Sequence, residues 1–474
     1  MSTGMTKKKY LGALIAFLLI LVFAFLPGSA TEGGMSHEAF TALGIFLAAL
    51  VLWMLDVMPM GIVGCLCMIL LPLLKAQSLP ETIGSFSTAS VLFIVGTFGI
   101  TAAMKNSTIP QRITNFVVRV AKGKTKTIIM LLTIATGLIS SFMSSSATMI
   151  MFWSFSSALL VALGVSADQN SELKSFGKAL AISAPVAAGT GGFITPAGTP
   201  GNIIIMGLLE QMGYPITFAQ WTIIAAPLGI VALIIIGFFL GRVFKSPNLT
   251  REQMDKLEKE TGNLPPLTRN EILTIVIIAA MIVMWFLGSW ITILNVAVVA
   301  ILGLSLFFLC DVLDMKKFAP ECNLNTVLLM GTAPAIAATL ASTGALAVIV
   351  TGVFSGAVFQ SMNGIILLVL VSLILMILRA FMPTPAAFAS LFIPLMATIA
   401  GLTGGNPFLL FMVASFWGPT DMLLIYTEPI FLPTYAEGYY TEKDLLKFGI
   451  IPSVILAVLV AVLVSPLCSI AGLI

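Results

Sequence analysis

Long apolar runs separated by short polar ones fill this chain. Uninterrupted runs at 10–27, 39–56, 60–75, 88–110, 219–241, 270–288, 291–310, 326–353 and 445–470 approach the length a helix needs to cross about 30 Å of hydrocarbon. Four further stretches are apolar at their ends but interrupted in the middle. The stretch 127–163 carries Ser140 to Thr148, with Ser144-Ser145-Ser146 at its centre. The stretch 180–210 carries Thr195-Pro196-Ala197-Gly198-Thr199-Pro200-Gly201-Asn202. The third, 364–400, carries Arg379 to Pro385, and the fourth, 407–433, carries Trp417-Gly418-Pro419-Thr420-Asp421. A lipid interior offers no water to backbone groups freed by such breaks, which persist only against protein or a wet cavity. The fold expected is all-α and polytopic, with about 11 transmembrane elements (nine spans plus two broken helices) and two re-entrant helical hairpins.

The interruptions come in the same order twice, polar tip then broken helix, about half a chain apart. A weaker echo lies upstream: Gly96-Thr97 with Ser107-Thr108 returns as Gly331-Thr332 with Ser342-Thr343, both 235 residues later. Paired interruptions with weak internal symmetry are the mark of an inverted-repeat transporter. Charge supports the hairpins. If each tip enters and leaves on one side and the chain starts inside, all of the 23 basic residues except Lys75, Lys105 and Arg379 become cytoplasmic, as the positive-inside rule expects. The N-terminus is then cytoplasmic and the C-terminus outside.

Composition removes other classes. Apolar residues make up 59% and charged ones 9%, against roughly 25% charged in soluble domains; this leaves no basic surface for nucleic acid. One histidine, His37, and five scattered cysteines give no ligand set for a metal, so no metal and no cofactor is expected. Lys7-Lys8-Lys9 before Leu11–Leu26 and Gly28-Ser29-Ala30 has the parts of a signal peptide, but its apolar run is long and reads as a retained first span. The linker 245–270 is polar, and its segment 251–259 reads as a short amphipathic helix on the cytoplasmic face, either bracing the two halves or simply tethering them. An intramembrane enzyme would need paired groups at depth, for which Asp56, Asp311 and Asp421 are too scattered. A channel would need an open polar stripe, which is not seen.

The candidate chemistry sits at the interruptions. Ser144, Ser145 and Ser146 offer hydroxyls and free helix-end N–H groups suited to a carboxylate; Ser/Thr-rich helix packing is the alternative. In the second tip, Pro383 and Pro385 bracket Thr384, so no helix runs through. Arg379 lies alone in its apolar run. A buried arginine faces a partner, here Asp421 or an organic anion, unless it snorkels to the interface.

With these residues in view, the chain resembles the divalent anion/sodium symporter family, over nearly its whole length. That family carries Ser-Asn-Thr at both tips and Thr-Pro-Pro-Asn in both broken helices. Ser144-Ser145-Ser146 with Ala147-Thr148 matches the first tip. Gly191-Gly192 with Thr199-Pro200-Gly201-Asn202 matches the first broken helix. Thr384-Pro385-Ala386 falls at the second tip, and Gly418-Pro419-Thr420-Asp421 fits the second broken helix loosely. The resemblance implies substrate binding by Ser144, Ser145, Ser146, Gly192, Thr199, Pro200, Asn202, Thr384, Pro385, Ala386, Gly418, Pro419, Thr420 and Asp421. It implies a homodimer in the cell membrane working as an elevator on C4–C5 dicarboxylates such as succinate, malate, fumarate and 2-oxoglutarate. Scaffold segments would be 1–126 and 219–353, transport segments 127–218 and 354–444, and the last helix 445–474. The tip asparagines help bind sodium in sodium-coupled members; here Ser145 and Pro385 replace them, and proline offers neither side-chain oxygen nor N–H. The expectation is sodium-independent exchange, with Arg379, and Lys105 as a second candidate, supplying the positive charge. Sodium-coupled dicarboxylate or citrate symport is the alternative.

Overall fold

The computed structural model describes residues 7–25, 36–84, 86, 88–167, 171–261, 264–345, 363–382, 384–425 and 428–474, and every regular element among them is helical. The first-half helices are α1 (Lys7–Phe25), α2 (His37–Met54), α3 (Met60–Leu73), α4 (Leu79–Gly84), α5 (Ala89–Lys105), α6 (Ile109–Ala121), α7 (Thr125–Ser140), α8 (Ser145–Ala162), α9 (Lys174–Gly192), α10 (Pro200–Gln211) and α11 (Phe218–Val243). The linker holds α12 (Arg251–Thr261). The second half follows with α13 (Arg269–Leu287), α14 (Val296–Leu309), α15 (Met315–Phe318), α16 (Leu324–Ser342), α17 (Gly364–Arg379), α18 (Pro385–Thr403), α19 (Pro407–Trp417), α20 (Leu432–Ala436) and α21 (Glu442–Ile470). Seven helices among the described residues are long and apolar enough to cross a membrane, or eight if the bent pair Met315–Glu321 and Leu324–Leu340 is one span. Several other apolar helices, such as α3 and α14 with 14 residues each, rise only about 21 Å.

All four interruptions break their helices. The first tip ends α7 at Ser140 and restarts at Ser145; the second ends α17 at Arg379 and restarts at Pro385. The first broken helix stops at Gly192, makes a 3-10 turn over Pro196–Gly198 and resumes at Pro200, while the second stops at Trp417. Two expectations shift. The run 88–110 is not one span: α5 stops at Lys105, where the Asn106 amide donates to Ala102 O at 2.8 Å, and Pro110 in the first turn of α6 starts a new helix. In α6, Pro110, Thr114, Val117, Val118 and Ala121 are buried while Phe116 and Arg119 are exposed, the stripe of a helix lying along a surface. The run 291–310 begins its helix only at Val296, because Asn295 Oδ1 accepts the N–H groups of Ala297 and Val298.

Helix contacts come in pairs that exchange under the 235-residue offset. α3 packs on α16 and α5 on α14, and these are images of one another. At residue level, a Cβ on Gly64 would collide with Thr332 Oγ1, and one on Gly96 would lie 2.5 Å from the Ala300 backbone; a shift of 236 positions, within one of the sequence echo, turns either contact into the other. In the same way α9 packs on α7 and α8 as α19 packs on α17 and α18. Close approach of this kind needs small residues at the crossing. The linker helix is anchored rather than loose. Leu249 N–H donates to Gly123 O at 2.8 Å, Gly123 having a left-handed φ of 76° after α6, and Leu257 is fully buried. α6 is tied to α13 where Thr108 N–H and Arg112 meet the Glu271 carboxylate, at 2.7 and 3.8 Å.

Candidate functional site

The two tips and the two breaks converge, and glycines set how closely. A Cβ on Gly192 would lie 2.6 Å from Ser145 Oγ and 2.7 Å from Thr199 Cγ2, so the end of α9 rests on the first tip and on the restart of its own helix. One on Gly201 would lie 2.9 Å from Pro385 Cβ, bringing the start of α10 against the second tip. One on Gly189 would lie 2.6 Å from Pro419 O, bringing α9 against the second break. The starts of α8, α10 and α18 therefore gather in one region. Helix starts carry unpaired N–H groups and a positive dipole end, which favour an anion.

The three starts are capped differently. Thr199 Oγ1 accepts Gly201 N–H at 2.9 Å, and Thr384 Oγ1 accepts Ala387 N–H at 3.2 Å; Pro200 and Pro385 follow, with no N–H to satisfy. Ser144, at the start of α8, makes no such side-chain bond, so the leading N–H groups of α8 are left without an internal cap. Its own N–H reaches Thr101 Oγ1 at 3.4 Å. Ser145 is buried. Its hydroxyl donates to Gly198 O at 3.4 Å and lies 3.3 Å from Ser140 Oγ. Ser146 is exposed, Ala386 is buried, and the Thr148, Thr190 and Thr420 hydroxyls are buried with no partner among the described residues.

Each break is held by one polar side chain that bonds the carbonyls freed there. In the first half the Asn202 amide donates to Gly192 O at 2.7 Å and to Thr195 O at 2.8 Å, leaving its own Oδ1 buried without a partner among the described residues. Thr195 Oγ1 donates to Ser141 O, and Ser140 Oγ to Ala188 O at 2.6 Å, tying tip to break. In the second half Arg379 does both jobs. Its Nε donates to Gly418 O at 2.6 Å, Nη1 to Met382 O at 2.9 Å and Nη2 to Glu428 Oε2 at 3.0 Å.

Arg379 therefore does not snorkel: its side chain is 1% exposed. The expected partner Asp421 lies farther off, with 3.9 Å between Nη1 and Oδ2, and Glu428 is the nearer one. With two buried carboxylates beside it, this guanidinium is not an uncommitted positive charge for a substrate. Lys105 is no substitute, because it bonds Glu321 Oε1 at 2.5 Å and is half exposed. Sequence reading passed over Glu428, although an acid at the end of an apolar run is itself a signal of a functional site. It likewise passed over Thr195 as a tie between tip and break. Among the described residues no group of three or more His, Cys, Asp or Glu side chains is placed to hold a metal ion.

The fold has known counterparts. The chain is 14% identical to the Alcanivorax borkumensis YdaH transporter, with a TM-score of 0.57 over 97% of this chain and 98% of that one. For MtrF of Neisseria gonorrhoeae, described among antimetabolite efflux pumps, the values are 15%, 0.51, 98% and 95%. At these identities the likeness is one of fold. In sequence, the chain is 25% identical over 492 residues to the sodium-dependent dicarboxylate transporter SdcS of Staphylococcus aureus strain MRSA252, covering 98% of this chain and 91% of the relative. Against SdcS of strain USA300 it is 25% identical over 455 residues, covering 89% and 85%. The family described as the sodium:sulfate symporter transmembrane region matches residues 7–470. This chain therefore belongs to the sodium:sulfate symporter family, the divalent anion/sodium symporters.

Proposed function

We propose that the protein exchanges C4–C5 dicarboxylates across the cell membrane without sodium, binding them where the tips and breaks meet. The observation that carries this reading is the start of α8. It has no side-chain cap at Ser144, and it faces Gly192 and Thr199 across the first break. Hydroxyls and helix-end N–H groups there suit a carboxylate that must also leave again. Sodium independence rests on two positions. The Ser145 hydroxyl is engaged with Ser140 and Gly198, and Pro385 packs on Gly201 with no side-chain oxygen to offer. In this reading 127–218 and 354–444 move as a transport unit against the remaining helices in a homodimer, by an elevator motion. The N-terminus faces the cytoplasm and the C-terminus the outside. Arg379 is engaged with Glu428, Gly418 O and Met382 O, so in this reading helix-start dipoles supply the positive field.

Sodium-coupled dicarboxylate symport is the second reading, favoured by the name of the SdcS relatives and by the three oxygens, Ser140 Oγ, Ser145 Oγ and Gly198 O, that meet at the first tip. Uptake of labelled succinate into proteoliposomes separates the two. Exchange predicts uptake that requires internal dicarboxylate and changes less than about twofold when choline replaces sodium, because even ~1.4 kcal/mol of coupling would appear as tenfold. Uptake that saturates with sodium and ignores internal dicarboxylate supports symport, and no uptake in either buffer removes both readings. A binding measurement checks the site itself. Ser144→Ala removes a hydroxyl bond to a charged carboxylate, about 1.5–3 kcal/mol, so affinity should weaken about ten- to a hundredfold. Unchanged affinity would return the first tip to helix packing.

A further inference from the structure

The second break buries more negative charge than positive. Arg379 faces Asp421 and Glu428, with side chains 1%, 2% and 9% exposed, so two ionised carboxylates would leave a net charge of minus one inside an apolar bundle. Isolated buried charge is costly, and the usual escape is to bind a proton. Among the described residues no second Lys, Arg or His forms an ion pair with either carboxylate. Of the elements packed around the cluster, α8, α18 and α19 carry no charged residue. α9 carries Lys174 and Lys178 in its first turns, and Lys178 is paired with Asp444 at 2.8 Å. α21 carries Glu442, Lys443, Asp444 and Lys447 near its start, and Glu437 follows α20. The cluster also touches the substrate region. A Cβ on Gly189 would lie 4.0 Å from Glu428 Oε2, and Gly192, one turn later on the same helix face, abuts Ser145.

We propose that Glu428, held against Arg379 beside the end of α9, is a proton site that takes up one proton when the anion binds. Glu428 Oε2 accepts from Arg379 at 3.0 Å, and Asp421 is held by Leu423 N–H at 3.0 Å and beside the same guanidinium at 3.9 Å, so the added proton goes to the Glu428 carboxylate. The step is one carboxylate plus one proton giving one carboxylic acid. A dianion entering at the first tip adds negative charge about a turn away and tightens the proton; by reciprocity the proton tightens the dianion. This builds on the dicarboxylate site proposed above and adds protons to its ledger of transported ions.

The test is calorimetric titration of the purified protein with fumarate, a dianion throughout neutral pH, in buffers of different ionisation enthalpy. The expected result is uptake of up to one proton per fumarate, with affinity falling about tenfold per pH unit once Glu428 of the free protein is ionised. Glu428→Gln keeps an acceptor for Arg379 but cannot titrate; it should bind fumarate with no proton uptake and no pH slope. Binding without proton uptake in the unmodified protein, or the same pH slope in Glu428→Gln, overturns the proton site while leaving the dicarboxylate reading intact. If fumarate does not bind, the dicarboxylate reading fails and sulfate takes its place in the titration. Infrared difference spectra across a pH step read the site without any ligand. A carboxylic-acid carbonyl band that Glu428→Gln abolishes supports it, and its absence overturns it.

Discussion

Arg379→Gln should destabilise the protein by about 3–5 kcal/mol, the range for breaking a buried ion pair, and should abolish transport. The change strands two buried carboxylates and also removes the donors that hold Met382 O and Gly418 O. A lower melting temperature in detergent and loss of uptake are the readouts. Arg379→Lys keeps the charge but not the planar fork that serves three acceptors, so it should rescue only part of the loss. A double-mutant cycle locates the partner. Coupling should be larger with Glu428→Gln than with Asp421→Asn, since Glu428 Oε2 is at 3.0 Å and Asp421 Oδ2 at 3.9 Å. An Arg379→Gln protein as stable as the parent would show that this cluster does not hold the break.

Gly191→Ala is expected to be nearly as damaging for a different reason. A Cβ there would overlap the Gly137 carbonyl oxygen, Cα and carbonyl carbon, so α7 and α9 would have to part where the first tip meets the first break. Overpacking of this kind typically costs about 1–3 kcal/mol, and because the obstacle is backbone, no rotamer can relieve it. Transport should be lost along with stability. Gly401→Ala, in α18 with nothing within 4 Å of the new atom, is the control; it should be neutral or stabilising by about 0.5–1 kcal/mol. A fully active Gly191→Ala protein would mean that the tip and break do not pack as described.

Much of this could be read locally. Apolar runs near membrane length placed most helices to within a few residues, and Pro/Gly clusters placed the breaks, because a missing N–H or a proline ring disrupts a helix whatever surrounds it. The 235-residue echo marked an internal repeat, and the structure adds contacts that exchange between the halves, as Gly64 with Thr332 and Gly96 with Ala300 do. The misses were places where local signals compete. Hydropathy continued through 88–110, but Asn106 and Pro110 end one helix and begin another. Asp421 was favoured for Arg379 because it lies inside the break, and Glu428, seven residues on, was overlooked.

The sequence by itself determined the membrane class, the order of tips and breaks and the residue types gathered at them, since hydropathy and backbone chemistry act within a turn or two of helix. Only the tertiary structure decided which groups meet: Ser145 with Gly198, Thr195 with Ser141, Pro385 with Gly201, and Arg379 with Glu428 rather than chiefly Asp421. Those pairings span 49 to 184 residues of chain, and they depend on which helix faces pack together. Packing is fixed by the shapes of surfaces distant in sequence, on which local periodicity is silent.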